Sequence, residues 1–145
     1  MWKMLTWIII GIVVLLLAYV RLAPSDPARW HRQAAISGAE TKQLKGGYIW
    51  RKAIEGDGKA ELAALDKYAL ATDRTERLAG SVEEGQMTYI TRSKVCGFPD
   101  YTTVSLINGQ DGQRILEIYG RLRFGRSDLG VNANRIKGWV AAAQL

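Results

Sequence analysis

One cysteine, Cys96, and one histidine, His31, are all that the sequence holds of the two residue types most used for metal ligation and nucleophilic catalysis. A lone cysteine excludes an intrachain disulfide and leaves the redox compartment unread. Zinc and iron sites draw three or four His, Cys or carboxylate ligands at ordered spacing, which one of each cannot supply. A Cys–His nucleophile would need His31, far upstream, to reach Cys96 in the Gly97-Phe98-Pro99 bend, so Cys96 reads as a small packed residue. Clustered acids of the calcium-binding kind are missing too, since Gly56-Asp57-Gly58 and residues 108–112 are too sparse. Glycine is plentiful at fifteen, but no phosphate-cradling pattern stands at a strand-to-helix junction. No metal and no cofactor is expected. There is no internal repeat or low-complexity tract. Long apolar runs are limited to one, which excludes a polytopic membrane protein.

That single run occupies residues 4–20, seventeen positions in which only Thr6 is polar. A helix crosses a hydrocarbon core of about 30 Å with roughly 20 residues and a lower limit near 17. Trp2, Trp7 and Tyr19 lie near its ends, at headgroup level, and Lys3 and Arg21 can snorkel outward. A cleaved signal peptide is the competing reading, but Ala18 to Ala23 offers no pair of small residues at cleavage spacing without Arg21 intruding. The expectation is an uncleaved single-pass anchor in an inner (plasma) membrane. Arg21, Arg29 and Arg32 after the span favour a cytoplasmic domain, whereas the short, signal-like N-terminus suits an exported one. The two indications oppose each other, and the side stays open.

Subtracting Lys3 and Arg21 from the 20 basic residues leaves 18 against 14 acidic ones, so the rest of the chain carries +4. It is long enough to bury a core without metal or disulfide support. The expected division is residues 1–22 as anchor, 23–46 as membrane-proximal linker and 47–145 as one soluble domain. Asp26-Pro27 reads as N-cap and first helical position, opening a short helix to about Ile36 whose Trp30 either meets the membrane surface or packs on the domain. Ser37-Gly38 and Lys45-Gly46-Gly47 punctuate, and Gly47 to Arg51 suits a short strand. Leu62, Leu65 and Ala69 give a helical stripe. A period of two then suggests strands near 76–83, 87–95, 101–107 and 113–124, with Asn-Gly and Asp-Gly turn chemistry in the last connection. Asn132 or Asn134 can cap a final helix with Ile136, Trp139, Val140 and Ala143 on its apolar side. The fold class is α+β: an N-terminal transmembrane helix, then one small domain with an antiparallel sheet of about four strands packed by two main helices.

The last strand separates its residues most clearly. Leu116, Ile118, Gly120, Leu122 and Phe124 point one way, and Glu117, Tyr119, Arg121 and Arg123 the other, which suggests one buried face and one basic, aromatic outer face. Residues 114–137 hold six basic side chains against Glu117 and Asp128, a net of +4. Arginines beside Tyr119 could follow a nucleic-acid backbone, but a domain tethered at an anionic bilayer accounts for the same charge, and nucleic acid is not the expected partner. The favoured reading is a non-enzymatic binding or envelope-associated protein whose partner is an envelope protein or an anionic lipid. Its candidate binding residues are Arg121, Arg123, Asp128, Asn132 and Arg135. The alternative is a hydrolase or transferase in which Asp100 or Asp128 acts on an arginine-held anionic substrate, which requires a pocket joining the two acids. Otherwise Asp128 simply forms ion pairs or caps backbone amides. The sequence assigns no catalytic residue, ligand or oligomeric state.

Gly125-Arg126-Ser127-Asp128-Leu129-Gly130-Val131-Asn132, followed by Arg135-Ile136, resembles the C-terminal signature of the domain of unknown function 1499 family. Arg92-Ser93 and Gly97-Phe98-Pro99-Asp100 resemble its middle segment, so the likeness extends from about Leu62 to Val140. Where the family signature has two serines this chain has Gly120 and Leu122, Tyr119 replaces the first arginine, and only Arg123 of that cluster remains. A polar site lined by those serines in relatives would be altered here. The resemblance implies a compact domain, often tethered to a bacterial membrane or exported, and no reaction. Its motif reads as a folding corner in which Asp128 bonds neighbouring amides, Asn132 caps the last helix and Arg135 returns toward Asp128.

Overall fold

The computed structural model describes residues 1–36, 38 and 40–145. Ser37, read above as punctuation, lies outside the described residues. Helix α1 spans Trp2–Leu22 with no buried residue, and at 1.5 Å per residue its 21 residues reach about 30 Å. It is long and apolar enough to cross a membrane. Helix α2, Pro27–Trp30, is a single turn. The Asp26 carboxylate accepts from the Ala28 amide at 2.9 Å, as the Asp-Pro pair suggests. The turn ends well short of Ile36, because Trp30 turns inward and stacks on Tyr101 at 4.0 Å between ring centroids. Past His31 the chain runs extended across the sheet.

The sheet has six strands where about four were expected: β1 (Lys42–Leu44), β2 (Gly47–Ile54), β3 (Thr75–Ser81), β4 (Gln86–Arg92), β5 (Pro99–Asn108) and β6 (Arg114–Leu122). All neighbours are antiparallel, in the order β1-β2-β6-β5-β4-β3. The extra strands come from the Gly47 region, which pairs with β6 from Gly47↔Arg121 to Ile54↔Arg114 and carries β1 on its outer edge. Pattern alone undervalues β2 because both its faces are covered, so it does not alternate cleanly. Of the two turn pairs in the β5–β6 connection, the Asp-Gly pair supplies the positive φ. Gly109 is extended there (φ −79°), and Gly112 takes the positive φ of 74°.

Helices α3 (Lys59–Leu70) and α4 (Val131–Ala142) lie on one face of the sheet, and α3 carries the chain from β2 across to the far edge. Leu62, Leu65 and Ala69 of α3 and Ile136 and Trp139 of α4 meet Met87, Tyr89, Val104, Leu116 and Ile118 in the main core. Burial of such side chains contributes about 1.5–3 kcal/mol each. Residues 23–36 cross the opposite face, where Trp30, Ile90 and Tyr101 form a second, smaller cluster. This segment is called the strap below.

Candidate functional site

The odd-numbered residues of β6 point where the two-residue period puts them, but that face is roofed by the strap. Glu117 is wholly buried and Arg121 is 6% exposed, so the expected basic outer face is an interior. Arg51 and Glu117 are directly opposed in the β2–β6 register. Arg51 Nη2 lies 2.5 Å from Glu117 Oε2 and also donates to the Ile36 carbonyl at 2.7 Å. The other Glu117 oxygen accepts from the Ala34 amide at 2.9 Å. Arg121 donates to Thr103 Oγ1 at 2.7 Å and to the Trp30 carbonyl. Its guanidinium lies over the Tyr119 ring at 4.5 Å, and its Nε has no acceptor among the described residues. Burial pulls the Arg121 pKa down to about 10. Arg123 reaches the Pro24 carbonyl at 3.0 Å and the Tyr101 hydroxyl at 3.1 Å. His31 meets Thr88 Oγ1 at 2.8 Å. Arg121 and Arg123 each reach a strap carbonyl and a neighbouring hydroxyl. Sequence pattern finds the parity of this face and misses its cover, because nothing local marks an extended strap.

The motif after β6 forms a corner built on Asp128. Its carboxylate accepts from the Gly130 amide at 3.1 Å and the Asn132 amide at 3.0 Å, so Asp128 serves the first turn of α4, with Gly130 at the N-cap position. Neither Asn132 nor Asn134 caps that helix. Asn132 is wholly buried and turned to the sheet, where a Cβ on Gly120 would fall 2.8 Å from its Oδ1. Any larger residue at position 120 would push the Asn132 and Ile136 side chains aside. Arg135 donates to Asn132 Oδ1 at 2.9 Å and meets Asp100 Oδ2 at 3.3 Å. It therefore turns to Asp100, not to Asp128. Asp100, Asn132 and Arg135 form one network, while Arg121 and Arg123 stand on the other face.

The two carboxylates are shifted in opposite directions. Burial raises Asp100 above the usual range, against the opposing pull of Arg135. Partial burial also works against charge on Asp128, but the hydrogen bonds from Asn132 and Gly130 together outweigh it and hold its pKa low. Among the described residues, no three His, Cys, Asp or Glu side chains gather as metal ligands.

Both acids border a cavity of about 490 Å³ between the β4–β5 bend and this corner. Phe98, Leu122, Phe124 and Val131 make its walls mainly apolar, and Ser93, Ser127 and Arg135 join the acids on its polar side. The loops around it hold large apolar side chains in the open: Val95 is 83% exposed, Phe98 41%, Leu129 90% and Val131 49%. Leu129 has a positive φ of 52°, uncommon for a bulky residue. The last turn of α1 touches this same end. Tyr19 meets Phe124 edge-on at 6.1 Å, and the Arg21 side chain lies over Gly97, 3.3 Å from where a Cβ would stand. Sequence reasoning missed this cluster, although aromatic residues inside the turn-rich Cys96–Pro99 and Phe124–Gly125 stretches were the signal available.

A search of curated proteins finds no match to this chain. The family described as a protein of unknown function, DUF1499, matches residues 20–142, a span from the last turns of α1 to the end of α4. The corner and the strap both lie within it, and the chain is a member of the DUF1499 family.

Proposed function

We propose that this is a non-enzymatic binding domain of a bacterial cell envelope, anchored in the plasma membrane by α1, with its loop end turned to the bilayer as its binding surface. One observation carries this reading. The last turn of α1 packs on the loop end through Tyr19 and Phe124, and that end exposes Val95, Phe98 and Leu129. A span that leaves the bilayer in contact with these loops holds them at headgroup depth, where exposed apolar tips find a matching environment. Lys94 and Arg126, both exposed, flank the tips, and Arg21 adjoins them. Each basic group near an anionic surface contributes about 1 kcal/mol of attraction. An anionic lipid surface is thus the partner favoured over an envelope protein.

Cys96 is the single cysteine and stands at the tip of the β4–β5 bend, so a fluorophore placed on it reports this surface directly. In the full chain reconstituted into anionic nanodiscs, the label should be strongly quenched by lipids spin-labelled near the headgroup and weakly by aqueous iodide. Full iodide quenching with no lipid quenching refutes the bilayer-facing reading.

The enzymatic alternative draws on one observation, the desolvated Asp100 beside the same cavity as Asp128. Against it, Asp128 is committed to two backbone amides and Asp100 to Arg135 and Asn132. Hydrolysis of chromogenic esters or phosphoesters by the wild type, abolished in Asp100→Asn, would replace the binding reading.

A further inference from the structure

We infer that the cavity between the β4–β5 bend and the corner after β6 takes up one acyl chain of a lipid from the adjoining bilayer, whose head group brings hydrogen-bond donors to the cavity's polar side. This inference rests on the bilayer-facing reading above.

Its volume of about 490 Å³ falls within the range of small-molecule sites, which are mainly apolar with a few placed polar groups. Phe98, Leu122, Phe124 and Val131 give it walls suited to hydrocarbon. The route in is equally specific. Phe124 lines the cavity and also touches Tyr19 in the last turn of α1, and Phe98 packs against Phe124 at 6.4 Å. The cavity therefore adjoins the point where the chain leaves the bilayer, and the molecules at highest concentration there are lipids. The polar side narrows the class. Two carboxylates, Asp100 and Asp128, stand there against one guanidinium, Arg135, and that guanidinium is already engaged by Asp100 and Asn132. A bare phosphate would meet no free cation among these lining residues. An ammonium or hydroxyl head would meet carboxylate oxygens. Arg123 cannot add a second cation to this side, because it serves the strap on the opposite face.

The test uses the full chain in nanodiscs containing phosphatidylethanolamine with a photoactivatable diazirine at the end of one acyl chain. A chain in its ordinary place holds that end near the bilayer midplane, about 15 Å below the interface, and marks α1 alone. A chain in the cavity marks the peptides bearing Leu122, Phe124 and Val131. We expect cavity adducts in the wild type and at least a fivefold loss in Val131→Trp, which fills the cavity from the first residue of α4. Adducts on α1 and lipid quenching of the Cys96 label should be unchanged in that variant. Adducts confined to α1, or cavity adducts indifferent to Val131→Trp, overturn the inference while the bilayer-facing reading stands. Loss of Cys96 quenching in the wild type overturns both. Phosphatidic acid with the same labelled chain should give at least threefold fewer cavity adducts relative to those on α1, and an equal ratio overturns the head-group assignment.

Discussion

The two faces of this sheet are both covered, but by different chemistry. The face under α3 and α4 is closed by aliphatic and aromatic packing around Leu62, Leu65, Leu116, Ile118 and Ile136, each wholly buried. The face under the strap is closed by an ion pair, two further arginines and a line of hydroxyls, with Trp30 on Tyr101 as its main apolar contact. An extended segment has little side-chain volume to offer a sheet and many backbone groups that need partners when buried. Arginine answers that need, because its fixed fork of donors reaches several carbonyls at once. The lesson concerns coverage: a helix covers a sheet with side chains, whereas a strap covers it with backbone and requires polar residues beneath.

The largest effect that would sharpen this contrast lies at Glu117. Replacing it with Gln leaves Arg51 buried beside a neutral partner, and losing one member of a buried pair costs about 3–5 kcal/mol. Denaturant unfolding of full-length Glu117→Gln in detergent, followed by tryptophan fluorescence, should register a loss in that range. The double replacement Arg51→Met with Glu117→Leu should recover only part of it, since it removes the unpaired charge but leaves the Ala34 amide and the Ile36 carbonyl of the strap without their partners. If the single variant loses under about 1 kcal/mol, the polar closure of this face is incidental and the contrast fails.

A smaller effect is confined to the helix-covered side. Asp128→Ala removes the carboxylate that holds the Gly130 and Asn132 amides, at about 1 kcal/mol for a lost helix cap. Hydrogen exchange at Asn132 should quicken, while the Ala34 amide, bound to Glu117 under the strap, keeps its protection. The pH dependence has a definite sign. The folded pKa of Asp128 is depressed, so its contribution is present above the unfolded value and lost as pH falls through the folded one. The stability difference between wild type and Asp128→Ala should therefore be constant near neutrality and shrink below the ordinary carboxylate range. Asp100, raised by burial, has the opposite sign: its charge costs stability as pH climbs from the ordinary value through the raised one. A difference that grows toward acid would mean that Asp128 is not the capping group.

These contrasts also show what was readable in the sequence. The stripe of α3, the parity of β6 and the apolar side of α4 follow from local period, and the structure places Leu62, Leu116 and Ile136 accordingly. The corner was legible as a motif, and Asp128 bonds the amides that its position suggests. The strap was not, because Arg51 and Glu117 lie 66 residues apart and their pairing depends on register between two strands. Charge is read as exposure unless a partner is visible, so Arg121 and Glu117 looked like surface. The cavity was anticipated only as the meeting of Asp100 and Asp128 in the enzymatic alternative, and its apolar lining was not. Its walls come from the β4–β5 bend, β6 and α4, so its apolar members sit singly at element ends and in turns where no period accumulates.

The loop end is the third surface, neither packed nor strapped, and Leu129 tests whether it belongs to the bilayer. This residue is 90% exposed and has a left-handed backbone. A conformation of that kind costs an L-residue roughly 1–2 kcal/mol, and exposure gives nothing back in water. Leu129→Gly relieves the strain but enlarges the unfolded ensemble at a cost of about 0.4–1 kcal/mol. The net change in denaturant unfolding should be a gain of at most about 1.6 kcal/mol. A leucine buried in the interface would contribute about 1.5–3 kcal/mol there, so the same variant should weaken lipid quenching of the Cys96 label by roughly twofold while leaving protection under the strap unchanged. A more stable protein that holds the membrane less well would identify Leu129 as a residue kept for contact at the expense of folding. Equal quenching would place it with ordinary surface residues and leave the contact to Val95, Phe98 and Val131.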